Sequence, residues 1–190
     1  MIELGIIIGS TRPGRRAETV ARWVQEIVDE RDDVAGEVID VAQLDLPHLD
    51  EPLPPAMGQY SRPHTRAWAD QVARFDVFVF VTPEYNHSTS GVLKNAIDFV
   101  GAEWANKAAG FVSYGADGGT RAVEHLRLIL ANLQVATVRA QVPLSLFNDF
   151  TDATTFTPQP RRHAEVHTML DQLVTWGHAL QAVRAEVGVA

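Results

Sequence analysis

An α/β fold with a parallel central sheet is predicted by three observations on the sequence. Short apolar runs alternate with stretches whose apolar residues recur at three- and four-residue spacing, and the alternation repeats along the whole chain. Several of the apolar runs end in glycine-bearing, polar loops that open the next helical stretch, as Ile2 to Ile8 does at Gly9. The 190 residues, 46% of them hydrophobic, can bury one good core and are few for two, so residues 1–190 are expected to form a single domain. Such alternation implies parallel strands joined by right-handed crossovers, with helices on both faces.

The first strand is Ile2 to Ile8. Behind it, Ala17, Val20, Ala21, Val24, Ile27 and Val28 form one apolar stripe on a helix running to about Arg31. A second strand is expected at Glu37 to Val41, followed by a proline- and acid-rich loop from Asp45 to Gly58 and a helical pattern between His64 and Phe75. The third strand, Val77 to Thr82, leads to a helix bearing Val92, Leu93, Ala96, Ile97 and Val100. The fourth, Ala108 to Tyr114, leads through a glycine-rich loop to a helix with Val123, Leu126, Ile129, Leu130 and Leu133. A short fifth strand is expected at Ala136 to Arg139. After it come a loop holding Pro143, Pro158 and Pro160 and a closing helix with Val166, Met169, Leu170, Leu173, Leu180 and Val183. The expected architecture is a flavodoxin-like three-layer α/β/α sandwich around a five-stranded parallel sheet of order 2-1-3-4-5.

Composition narrows the function classes. A formal charge of −8 argues against broad nucleic-acid binding, which needs positive charge to displace counterions from phosphates. Any anion must meet a local cluster, and Arg12, Arg15 and Arg16 supply one. The absence of cysteine removes disulfides, thiolate catalysis and cysteine-built zinc sites. No apolar stretch approaches a membrane span and no leader-like segment opens the chain, so a soluble, cytoplasmic protein is expected.

Three loops lie after strands one, three and four, which are neighbours in the expected sheet. In open α/β sheets, ligands bind at the carboxyl edge where the strand order reverses. The first loop, Gly9-Ser10-Thr11-Arg12-Pro13-Gly14-Arg15-Arg16, offers hydroxyls, guanidinium groups and the free N–H groups of a helix start, which suit a phosphate. It lacks the Gly-Lys-Ser/Thr of a nucleoside-triphosphate loop, and no G-x-G-x-x-G occurs. In the second loop, Pro83 fixes a dihedral, Asn86, His87 and Ser88 tolerate turn geometry, Ser88 or Ser90 is placed to cap the next helix, and a ring system could lie against Tyr85. The third, Ser113-Tyr114-Gly115-Ala116-Asp117-Gly118-Gly119, lets backbone approach a flat ligand. Taken singly, each loop also reads as an ordinary turn; together they describe one cleft.

Gly9-Ser10-Thr11-Arg12-Pro13-Gly14-Arg15, Asp45-Leu46-Pro47 with Asp50-Glu51-Pro52, and Pro83-Glu84-Tyr85-Asn86-His87-Ser88 with Gly91-Val92-Leu93-Lys94-Asn95-Ala96-Ile97-Asp98 resemble the NADPH-dependent FMN reductases. That group includes bacterial quinone, chromate and azo-dye reductases, and the similarity in element order covers about the first 140 residues. The resemblance implies FMN bound in a dimer or tetramer whose partner chain helps wall the flavin site. It implies NADPH or NADH as co-substrate and hydride passed through the flavin to a quinone or similar acceptor in a ping-pong cycle. Ser10, Thr11 and Arg12 match phosphate ligands, Pro83, Glu84, Tyr85 and Asn86 the cradle for the isoalloxazine, and Ser113, Tyr114 and Gly115 its other edge. Many relatives carry serine where Arg15 stands and serine or asparagine where Ala17 stands, so Arg15 or Arg16 is expected to substitute. No catalytic side chain is required, since the cofactor carries the chemistry.

Two other classes compete: a flavodoxin-like electron carrier that does not oxidise NAD(P)H directly, and a regulatory protein without flavin. No metal site is expected. His163 and His167 stand four apart, as zinc ligands can, but Ala164 follows the first histidine and breaks the metalloprotease pattern, so they read as exposed polar residues. Asp40, Asp45, Asp50 and Glu51 read as a solvated acidic edge bordering the flavin or a subunit contact. Trp23, Trp68, Trp104 and Trp176 read as core or interface, and Trp104, just beyond the third helix, is the one to examine for the flavin mouth.

Overall fold

The computed structural model describes residues 1–152 and 155–187. The first strand and helix are β1 (Ile2–Ile8) and α1 (Ala17–Val28), followed by β2 (Val34–Asp40) and α2 (Pro63–Ala73). Next come β3 (Val77–Pro83), α3 (Gly91–Asp98), β4 (Lys107–Gly115), α4 (Thr120–Asn132), β5 (Val135–Ser145) and α5 (Arg161–Val187). The five strands form one parallel sheet in the order β2-β1-β3-β4-β5, as expected from the sequence.

Strand alternation separates two cores. Val77, Val79 and Val81 of β3 face α1 and α5, packing with Ile2, Leu4, Ile6, Val20, Val24, Met169 and Leu173. Phe78 and Phe80 face the other way, packing with Phe111 of β4 and toward Trp68, Val72, Leu93, Ile97 and Leu126 of the α2, α3 and α4 layer. Both faces are covered, which explains why the central strands read as continuous apolar runs rather than as alternating ones.

Two strands are longer than their sequence pattern. β2 begins at Val34, because its register with β1, from Ile2↔Val34 to Ile8↔Asp40, satisfies the backbone of polar and glycine positions as fully as that of apolar ones. β5 runs through Pro143 to Ser145, and so the loop expected there starts later. β5 is an edge strand, where the missing proline N–H removes no bond that the sheet interior needs. Trp104 is a core residue, as the sequence reading of the four tryptophans has it, and does not reach the flavin mouth. It is fully buried, its indole N–H donates to the Ile97 carbonyl at 3.1 Å, and its ring meets Phe78 edge-on at 4.8 Å, so it belongs to the core and not to a ligand mouth. Trp68 is buried beside it, Trp23 packs partly buried, and Trp176 is half exposed.

The acidic loop is held by specific bonds. Asn95 of α3 donates to the Pro47 carbonyl at 2.7 Å and accepts from the Leu49 N–H at 3.0 Å. Glu51 accepts from the N–H groups of Ser61 and Arg62, both at 2.9 Å, and from the Ser61 hydroxyl, and so steadies the entry to α2. Partial desolvation opposes its ionisation, but the nearby Thr65 hydroxyl and these hydrogen bonds outweigh it and hold its carboxyl down to about 2, against an ordinary 4.5. A lowered carboxyl contributes stability above its unfolded value and loses it as the pH falls toward its folded value. Glu51→Gln is therefore expected to be less stable than the parent above pH about 4.5, with the difference shrinking toward pH about 2. Urea unfolding across the acid range measures it; a pH-independent difference would contradict the assignment.

Candidate functional site

The three loops meet at the carboxyl edge of β1, β3 and β4. Pairing of Ile8 with Val81 and of Pro83 with Tyr114 brings the strand ends level, and the Gly9 N–H donates to the Val81 carbonyl at 2.8 Å. Gly9 has no space for a side chain: a Cβ would lie 2.7 Å from Leu93 Cδ2 and 3.1 Å from the Val81 carbonyl oxygen. Ser90 joins the first two loops. Its hydroxyl donates to the Gly9 carbonyl and accepts from the Leu93 N–H at 3.2 Å, capping α3 as it anchors the first loop.

The second loop is a tight reversal. Tyr85 and Ser88 exchange backbone hydrogen bonds of 2.9 and 3.1 Å, and Asn86 and His87 between them have φ of 47° and 71°. Two central residues with positive φ match the two-residue turn that suits the strand twist. The hairpin presents the half-exposed Tyr85, whose hydroxyl hydrogen-bonds Ser10 Oγ at 2.9 Å. The third loop is braced from beneath: Ser113 Oγ donates to the Gly118 carbonyl at 2.6 Å, and Gly118 and Gly119 both take φ of 72°. Glu84 ties it to the second loop. Its N–H donates to the Tyr114 carbonyl at 3.1 Å, and its carboxylate accepts from Arg121 Nε at 2.6 Å and from the Arg121 N–H at 3.1 Å. The Glu84 side chain is thus engaged at the head of α4 and leaves only its backbone to the cleft.

The three arginines of the first loop separate in role. Arg15 donates to Glu18 Oε1 at 2.6 Å, Asp40 Oδ2 at 2.5 Å and the Ser10 carbonyl at 2.5 Å, so it braces the loop against the end of β2. Most of its donors are thereby committed within the protein. Arg16 lies 4.8 Å over the Phe150 ring and donates to the Asp152 carbonyl at 3.2 Å. Arg12 is exposed and, among the described residues, has no ion-pair partner; Thr11 beside it is exposed too. The N-cap of α1 is Arg16, with no side-chain cap, which leaves the first-turn N–H groups directed at the loop.

Tyr114 departs from its expected place at the ring edge. With Ala108 and Val112 of β4 it faces the α1 and α5 layer. It is 7% exposed, and its hydroxyl has no hydrogen-bond partner among the described residues. Burial pushes the phenol well above its usual value, with Tyr85 adding to this, while Ser10, Arg12 and Arg16 pull it back. A buried hydroxyl without a partner costs about 1–3 kcal/mol, and it sits behind the first loop among that loop's polar groups. On the other side of Thr11, a cleft of about 320 Å³ is lined by Val41, Leu46, Pro47, His48, Val92 and Asn95, so the acidic loop borders this edge.

Residues 2–149 match the profile of the NADPH-dependent FMN reductase family. An NAD(P)H-dependent FMN reductase of Nectria sp is 34% identical over 159 residues, covering 78% of this chain and 79% of its own. A quinone reductase of Pseudomonas putida is 33% identical over 141 residues, covering 70% and 71%. The solved structure of FerB, a flavoenzyme NAD(P)H:(acceptor) oxidoreductase of Paracoccus denitrificans, superposes with a TM-score of 0.74 at 18% identity, covering 94% of this chain and 98% of that one, and so shares its fold.

Proposed function

Because the chain belongs to the NADPH-dependent FMN reductase family, we propose that its three-loop cleft holds FMN and passes electrons from NAD(P)H to a quinone or a similar flat acceptor. The chain is an NAD(P)H-dependent flavin oxidoreductase, with FMN as cofactor and NAD(P)H as co-substrate. FMN, when bound, supplies the two-electron chemistry, accepting hydride from NAD(P)H and returning it to the acceptor.

The donor set fits a phosphomonoester, and the observation that carries this is the buried, unpartnered Tyr114 hydroxyl behind the uncapped start of α1. Ser10, Thr11 and Arg12 with the first-turn N–H groups of α1 hold the phosphate, Arg16 adds positive charge, and Tyr114 completes the set from below. Arg15 keeps the loop in shape without touching the ligand. Pro83, Glu84, Tyr85 and Asn86 line one side of the ring with backbone and the Tyr85 phenol, and Ser113 and Gly115 line the other with backbone. Gly115 lets the third loop fold tightly on itself: a Cβ there would stand 3.0 Å from the Gly119 nitrogen. No side chain here needs to act as acid, base or nucleophile. Residues 1–190 work as one FMN-binding domain, in the cytoplasm and without nucleic acid or membrane as partner. The charge of −8 supports the absence of nucleic acid as a partner, and no helix among the described residues is long and apolar enough to cross a membrane. Val92 and Leu128, exposed on α3 and α4 near the site, support assembly as a homodimer or homotetramer.

The purified chain supplied with FMN is expected to show a bound-flavin visible spectrum that NADPH bleaches without oxygen, and to oxidise NAD(P)H steadily with menadione. A flavin that binds but is not bleached would indicate an electron carrier. A colourless protein whose melting temperature does not rise with FMN would overturn the cofactor assignment.

A further inference from the structure

We propose that Glu30, His163 and His167 form a binding site for a divalent transition cation, with Zn²⁺ the best fit, on the face of the molecule where α1 and α5 meet. The sequence shows only the two histidines one turn apart on α5; the third group comes from the other end of the chain. Glu30 stands two residues beyond the end of α1, and its Oε2 lies 3.4 Å from His163 Nε2 and 3.8 Å from His167 Nε2. One ligand atom from each residue lies within 4.8 Å of the other two. Zinc bound tetrahedrally at its usual 2.0–2.2 Å holds neighbouring ligand atoms about 3.3–3.6 Å apart. Two of the three separations are therefore close to bound geometry, and the third is no more than 4.8 Å.

The framework is held independently of any ion. The next residue, Arg31, donates to Asp171 at 2.8 Å, and Asp171 stands one turn beyond His167 on the same helix. Arg31 also pairs with Asp33 through two bonds of 2.9 and 2.8 Å, which holds the turn between α1 and β2. His163, His167 and Asp171 thus form one stripe along α5, and the turn after α1 docks on it with a carboxylate facing the imidazoles and a guanidinium facing Asp171. Two imidazoles and one carboxylate are the borderline donors that zinc takes, while magnesium and calcium demand oxygen. All three side chains are at least partly exposed, so an ion can enter and water can fill a fourth position. The ion would clip the end of α1 to the start of α5, a structural role remote from the flavin chemistry.

The test uses the full chain without an affinity tag, titrated with zinc chloride in calorimetry and in competition with a chromophoric chelator. One equivalent is expected to bind and to raise the melting temperature. His163→Gln and His167→Gln are each expected to weaken binding at least tenfold, and Glu30→Gln to weaken it less, with the fold and FMN binding retained. The absence of saturable binding at micromolar zinc, or equal binding by the His163→Gln/His167→Gln double variant, would overturn the proposal. Persistence of the site in FMN-free protein separates this result from the fate of the cofactor assignment.

Discussion

Arg12→Ala is expected to weaken FMN binding by about 10- to 100-fold while leaving riboflavin within about twofold, since a hydrogen bond to a charged group contributes about 1.5–3 kcal/mol. Arg12 is the basic side chain of the first loop with no ion pair among the described residues, so its removal costs the fold little and the phosphate much. Tyr114→Phe is expected to move FMN in the same direction by a smaller factor and to leave the riboflavin affinity intact. It should also stabilise the flavin-free protein slightly, because it removes a buried hydroxyl that has no partner there. Flavin-fluorescence titrations with both ligands make the comparison. Equal losses for FMN and riboflavin would detach the first loop from the phosphate. Arg15→Ala serves as the contrast: its bonds to Glu18, Asp40 and the Ser10 carbonyl shape the loop, so its loss should depress both ligands together.

Asp149→Ala is expected to lower the unfolding free energy by about 3–5 kcal/mol, the usual cost of removing one partner from a buried ion pair. Asp149 is fully buried and Arg162 is 5% exposed at its side chain. The carboxylate accepts from Arg162 Nε at 3.2 Å and Nη2 at 3.1 Å, and from the N–H groups of Ser145 at 2.8 Å and Gln159 at 3.0 Å. It therefore joins the end of β5 to the start of α5, and its removal leaves the buried guanidinium with Glu165 as its one carboxylate, at 2.7 Å, and strands two backbone donors. Burial alone would raise the carboxyl, but Arg162 and the two N–H groups hold it below its usual value. The contribution is accordingly present above the ordinary carboxylate range and is lost as the pH falls through the folded value. The double variant Asp149→Leu/Arg162→Met should lose less than Asp149→Ala, because it leaves no unpaired charge. Urea unfolding of the three proteins decides the matter; a single variant within about 1 kcal/mol of the parent would mean the pair is not buried in solution.

Much of this architecture is written locally. Val77 to Val81 can only be a strand with both faces buried, and Ala17, Val20, Ala21, Val24, Ile27 and Val28 can only be one helical stripe. The loops that follow such strands were accordingly legible as a ligand edge. What could not be read locally depended on a neighbour. β5 extends through Pro143 because β4 pairs with it as far as Gly115↔Ser145. Trp104 is core because Phe78, Phe80 and Trp68 surround it. Tyr114 turns toward the first loop because the pleat of β4 assigns its side chain to the α1 face.

The sequence by itself determined the order of strands and helices, the place of the three loops at one sheet edge and the family they signal. These follow from periodicity and turn chemistry, which act over a few residues. Only the tertiary structure decided the separate duties of Arg12, Arg15 and Arg16, the clamp of Glu84 on Arg121, and the meeting of Glu30 with His163 and His167. A charged side chain takes whichever partner the packed fold brings within about 3 Å, and those partners lie on other elements, at separations in sequence that no local pattern records.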